Sequence, residues 1–177
     1  MIKDPTKRLK MALTERPFIL QTPEIVGETV KLLKFIDHYS DRFLIAKGST
    51  HNHQTWEGGY IDHLLTTLNE AYNIYQSMID QKPDLDVTIL EIKRVIFFHD
   101  IEKLFRDIEF QKDWFLRYIL PTEFKIELTP KELDAIKYIH GEGDDYRKDK
   151  RVMSELCAIC HAADILSARV LWDCKVS

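Results

Sequence analysis

The sequence predicts an all-α fold, a single compact helical bundle, on three observations. Apolar residues recur at helical spacing through several long segments. Helix-start signals precede two of them, Thr22-Pro23 and the capping box Thr129-Pro130-Lys131-Glu132. Strand-like alternation is confined to Phe124-Lys125-Ile126-Glu127-Leu128, which is too isolated to build a sheet. A chain of 177 residues suits one domain with a real core.

Residues 1–21 read as an N-terminal segment, loosely ordered at its start, and residues 22–177 as the single domain. Pro23 opens a helix to about Tyr39 whose apolar rhythm is Ile25, Val26, Val30, Leu33 and Ile36. A short helix over Asp41 to Ala46 leads into a polar loop, Lys47 to Thr55. Gly58-Gly59 opens a long helix to about Ile79, with Leu64, Leu65, Leu68, Ala71, Tyr72 and Tyr75 inward. Gln81-Lys82-Pro83-Asp84 breaks it. A third main helix covers about Val87 to Phe98, and residues 101–120 mix aromatics with charges as one or two short helices. The capping-box helix reaches about His140, and Gly141 to Lys150 is a polar loop. The last helix runs from about Val152 to Trp172, with Leu156, Cys157, Cys160, Ala163, Leu166 and Val170 inward.

Composition removes several classes of function. An apolar content of 45% excludes a disordered chain, and a net charge of −4 exerts no global pull on nucleic acid. No apolar run approaches the ~20 residues that span a bilayer, so no membrane partner is expected. No apolar stretch follows Met1-Ile2-Lys3-Asp4-Pro5, so no signal peptide is expected. Cys157, Cys160 and Cys174 are an odd count and read as reduced thiols of a cytoplasmic protein. Oligomeric state is not legible.

The chemistry centres on Val95-Ile96-Phe97-Phe98-His99-Asp100. A helix that apolar is buried, so His99 and Asp100 emerge from a core. A buried ionisable pair needs compensation, which a metal ion supplies. The doublet alone reads equally well as a satisfied buried histidine with an aspartate ending the helix. Adjacent helical residues also face different ways, so the two share an ion only if the helix ends there.

The other histidines extend the pattern. His63 follows the paired glycines by about one turn, and His140 precedes Gly141-Glu142-Gly143. His161 and Asp164 are three apart on one helix face. Imidazoles and carboxylates from separate helices form an N/O cage suited to several divalent ions. His53, in His51-Asn52-His53, is equally a substrate contact or a plain loop residue. Cys157-Ala158-Ile159-Cys160-His161 has the spelling of covalent haem attachment, but both cysteines lie on an apolar helix face and read as core. Trp56 and Tyr60 could stack on a base, although core packing is the commoner fate of such aromatics.

The order His63, His99-Asp100, Asp164 resembles the H…HD…D signature of the HD-domain metal-dependent phosphohydrolases. His53, four residues, Gly58-Gly59-Tyr60-Ile61-Asp62-His63 is similar to the H-x4-G-G-L-x-x-H motif of their exonuclease-like branch. Phe98-His99-Asp100-Ile101-Glu102-Lys103 resembles that branch's L-H-D-x-G-K, with Glu102 replacing glycine. Ile139-His140-Gly141-Glu142 and His161-Ala162-Ala163-Asp164 resemble its later elements, so the likeness covers about residues 53–169. The resemblance implies an all-helical domain with the metal site between helices. It implies that His63, His99, Asp100 and Asp164 bind a divalent ion (Mn, Mg, Fe, Co, Ni or Zn). In two-metal members Asp of the doublet bridges, and His140 and His161 match the further ligands. Asp100 and Lys103 would be catalytic, Lys103 lying near the substrate phosphate. His53, Arg147 and Arg169 are added as substrate contacts.

The leading expectation is a phosphohydrolase of a nucleotide or another small phosphate compound, working through metal-activated water. A single-strand exonuclease is the neighbouring reading, although no separate nucleic-acid-binding domain or broad basic groove is evident. A non-catalytic module with a structural metal is the reading from another class.

Overall fold

Gly58 and Gly59 start the longest helix for a steric reason. Gly58 has φ +73°, in the left-handed region. A Cβ on Gly59 would lie 2.0 Å from the Gln54 carbonyl oxygen, so the loop before the helix passes there only over glycine. The computed structural model describes residues 4–15 and 23–176 and is all-α, with no strand among them.

The elements are α1 (Pro5–Glu15), α2 (Pro23–His38), α3 (Ser40–Ile45), α4 (Gly59–Gln81) and α5 (Ile89–Phe98). A 3-10 turn over Ile101–Phe105 follows α5. Next come α6 (Lys112–Trp114), a π-helical turn over Phe115–Ile119, and α7 (Leu120–Phe124). The chain closes with α8 (Pro130–Tyr138) and α9 (Glu155–Arg169). α4 packs along α9 and beside α5 and α1, while α8 lies against α5 and α9. Leu64, Leu65, Ile92, Val95, Ile96, Ala135, Leu156 and Ala163 fill the space between them.

A second part of the core is aromatic. The fully buried Phe35 ring meets Phe97 and Phe98 edge-on at 5.8 and 5.5 Å between centroids. Phe115 and Phe124 also meet it edge-on, at 6.2 and 4.8 Å. Edge-to-face pairs of this kind add to plain area burial.

Several expectations are corrected. The N-terminal segment contains α1, whose Leu9 and Leu13 are buried, so residues 5–15 are ordered. Thr22, the expected cap of α2, lies outside the described residues. Val26 and Val30 of α2 are exposed; its buried stripe is Ile25, Glu28, Thr29, Leu32, Phe35 and Ile36. Val170 is exposed because α9 ends at Arg169. Residues 125–129 form no strand, in keeping with their isolation in the sequence: Lys125 takes φ +59°, ending α7, while Ile126 is buried and Leu128 packs partly against the core.

Candidate metal centre

Two side chains from adjacent residues reach one point because the backbone turns between them. α5 ends at Phe98; His99 keeps helical angles, while Asp100 moves to φ −119°, ψ 28° and leads into the 3-10 turn. Both are buried, His99 completely. His63 comes from the second turn of α4, Asp164 from the middle of α9, and His140 from the residues just after α8.

Their donor atoms converge. His63 Nε2 lies 3.4 Å from His99 Nε2, 3.2 Å from Asp164 Oδ1 and 3.6 Å from Asp100 Oδ2. His99 Nε2 lies 3.3 Å from Asp100 Oδ2 and 3.4 Å from Asp164 Oδ1. A tetrahedron of ligands about 2.0–2.1 Å from an ion has edges of roughly 3.3–3.4 Å. An octahedron at the same radius has edges of roughly 2.8–3.0 Å. The spacing of the His63, His99 and Asp164 donors is compatible with one small divalent cation.

The outer hydrogen bonds agree. His99 Nδ1 donates to the Ile96 carbonyl at 2.7 Å, which leaves the Nε2 of the neutral ring as a lone pair. His63 Nδ1 lies 3.0 Å from Ser167 Oγ, itself bonded to Thr66 Oγ1 at 2.5 Å. Such partners fix ring orientation and tautomer in metal sites. Lys112 Nζ donates to the His99 carbonyl and so holds the turn from outside.

A second triad shares these residues. His140 Nε2 lies 3.3 Å from Asp100 Oδ1 and 3.7 Å from Asp164 Oδ2. Each carboxylate therefore turns one oxygen to the His63–His99 side and the other to His140. His63, His99 and Asp164 form one group able to hold an ion, and His99, Asp100 and His140 another. The His140 side chain is 56% exposed, so this flank is open to solvent.

Electrostatics in the ion-free cluster follow from burial and crowding. Burial opposes charge on His99, but Asp100 and Asp164 outweigh it and raise the imidazole to about 10. Burial likewise pushes Asp100 up, yet His99, His140 and His63 hold it well below the usual carboxylate range. Asp164 is depressed too, burial again being outweighed by His63 and His99. The carboxylates recruit protons onto imidazole where a cation would otherwise balance them.

The remaining residues fall at different distances. Lys103 Nζ pairs with Asp100 Oδ2 and sits 5.8 Å over the Tyr60 ring. The His53 ring stands 4.9 Å from that of His63, and burial lowers it to about 4. His161 Nδ1 donates to the Ile139 carbonyl at 2.5 Å, and neither triad includes it. Arg147 and Arg169 are exposed. Tyr60 is fully buried and stacks on Phe43, which makes it core rather than a base platform. The Trp56 indole donates to Asp62 Oδ2 at 2.8 Å.

Sequence reasoning missed Ser167, Gln54 and Lys112. Ser167 had a signal, standing one turn beyond Asp164 on the same helix. Gln54 is a polar loop residue and Lys112 opens the one-turn helix α6, and neither position carries a local sign of its role. No family model, curated protein or solved structure matches the chain. The cluster itself, imidazoles and carboxylates buried between helices, resembles an HD-like site.

Proposed function

We propose that this protein is a metal-dependent phosphohydrolase acting on a nucleotide or a related small phosphate compound, in the cytoplasm. One observation carries the reading: two imidazole Nε2 atoms and two carboxylates meet at coordination-edge spacing, with an open flank at His140 and a lysine beside them. Structural sites are closed on all sides, whereas catalytic ones keep a position for water or substrate.

His63, His99, Asp100 and Asp164 would hold one ion. The second oxygens of the two carboxylates, together with His140, favour a neighbouring second one. A divalent ion in such a site lowers the pKa of its water from ~15.7 to about 7 and polarises a phosphoryl oxygen.

The chain's own groups do the rest. Asp100 orients the nucleophilic water and Lys103 contacts the phosphate. What supports Lys103 is its ammonium on an Asp100 oxygen that an ion would claim, which would free it for substrate oxygens. His53, neutral near pH 7, adds a hydrogen-bonding ring on the His63 side. Arg147 and Arg169 belong to this reading as outer cations, and His161 as a further ligand.

The test is direct. Protein stripped with EDTA and reloaded with Mn²⁺, Co²⁺, Ni²⁺, Zn²⁺, Fe²⁺ or Mg²⁺ should release phosphate or pyrophosphate from some member of a nucleotide panel. His99→Ala and Asp100→Ala should each abolish release. Activity that survives both changes ends the proposal. Cleavage of a labelled oligonucleotide alone would move the reading to an exonuclease, and tight ion binding without turnover to a non-catalytic module.

A further inference from the structure

Gln54 is wholly buried, and its backbone sits at φ +40°, in the left-handed region that a side chain disfavours. Hydrogen bonds hold it there. Its N–H donates to the Trp172 carbonyl at 2.8 Å, and its own carbonyl accepts from Gly48 N–H at 2.9 Å. Its Nε2 donates to the Leu171 carbonyl at 2.9 Å and to the Ser167 carbonyl at 3.4 Å. Its Oε1 lies 2.6 Å from His53 Nδ1. Both glycines nearby serve this packing: a Cβ on Gly48 would come 2.8 Å from Gln54 Cβ, and one on Gly59 still closer to its carbonyl oxygen.

The amide has one workable orientation. Turned over, its oxygen would face two carbonyl oxygens, with no proton between them. Oε1 therefore faces the imidazole and has no hydrogen to give, so the shared proton belongs to His53 Nδ1. In a neutral ring Nε2 is then the bare nitrogen. That ring lies against His63, with Lys103 and Asp164 among the charges it feels.

We infer that Gln54 is a positioning residue that fixes His53 in the Nδ1–H tautomer and thereby presents an unprotonated Nε2, a hydrogen-bond acceptor, at the edge of the metal centre. The use of that acceptor, taking a hydrogen bond from substrate or water, rests on the hydrolase reading above; the tautomer does not. The left-handed backbone is the cost of bringing the amide between α9 and the imidazole.

Long-range ¹H–¹⁵N correlation spectra of the full chain at pH 7.5, with Zn²⁺ and with EDTA, separate the two tautomers. His53 is assigned by the signal lost in His53→Gln. The native protein should show His53 protonated on Nδ1 in both states. Gln54→Met should move it to the Nε2–H form that an unconstrained imidazole favours, with the other imidazole signals in place. Gln54→Gly suits the left-handed backbone while removing the amide, and should give the same shift even if the methionine variant folds poorly. An Nε2–H tautomer in the native protein, or Nδ1–H persisting in the folded variants, overturns the inference. Once a substrate is in hand, Gln54→Met should lower kcat by about tenfold, the size of an outer-shell change, at unchanged metal affinity, because Gln54 bonds to His53, which belongs to neither triad. An unchanged kcat would remove the acceptor's role and leave hydrolysis standing; an inactive native enzyme would remove hydrolysis and leave the tautomer standing.

Discussion

Lys103 rests on an oxygen that a divalent ion, on the proposed reading, would claim. The ammonium rests on Asp100 Oδ2, the atom that also faces His63 and His99. Removing that charge should therefore raise ion affinity while harming turnover. Lys103→Met is expected to bind Mn²⁺ about tenfold more tightly by calorimetry, a fraction of the coupling of two charges ~4 Å apart at intermediate dielectric. The same variant should lose most of any phosphatase activity, a split that a purely structural lysine would not produce. At this scale the clustered residues were legible because imidazole and carboxylate seldom sit in apolar runs: His99 and Asp100 follow Phe97-Phe98, and Asp164 follows Ala162-Ala163. Gln54 was not legible, since its role comes from burial and an unusual backbone angle. His161 shows the converse. Its spacing from Asp164 is legible in the sequence, whereas the bond from its Nδ1 to the Ile139 carbonyl, which like that of His99 leaves Nε2 as the free nitrogen, comes only from the packing of α9 against the end of α8.

Helix boundaries were mostly readable, and helix faces less so. Thr129 caps α8 as its sequence predicts, accepting from Glu132 N–H at 3.2 Å. The phase of α2 misleads because its buried stripe contains Glu28 and Thr29. Glu28 is tolerated there because Arg94 of α5 reaches it at 2.6 Å while also meeting the buried Glu132 of α8. Nothing local in α2 announces a partner on another helix. Two glycines give opposite expectations at this scale. Gly59→Ala forces a Cβ onto the Gln54 carbonyl and should cost about 3 kcal/mol, the upper end of overpacking, with weakened ion binding. Gly27, inside α2, has open space where a methyl group would stand, with no atom within 4 Å, so Gly27→Ala should stabilise by roughly 0.5–1 kcal/mol. Urea denaturation of the pair checks both signs.

The bundle as a whole should report its centre through stability. His99 is raised to about 10 from an unfolded value near ~6.5, so its contribution is complete below about 6.5 and fades as pH climbs toward 10. Asp100 and Asp164 are depressed, so theirs is complete above about 4 and lost in acid. In EDTA, the melting temperature should thus decline between pH 7 and 9.5. A bound ion needs unprotonated imidazole, so its stabilising effect should grow across the same window. At about a hundredfold excess over Kd, ion binding adds ~2.7 kcal/mol, or roughly 5–10 °C for a chain of this size, in scanning calorimetry. Among the described residues no helix is long and apolar enough to cross a membrane. A readout is also built in beside the His–Asp cluster. Asp62, next to His63 in the chain, accepts from Arg8, from Val176 N–H and from the indole of Trp56, whose ring lies under Lys175. Trp114 and Trp172 are half open to water and would contribute a steady background. Ultraviolet emission from the unlabelled chain should therefore change as cations are titrated in, and Trp56→Phe should leave the titration dark.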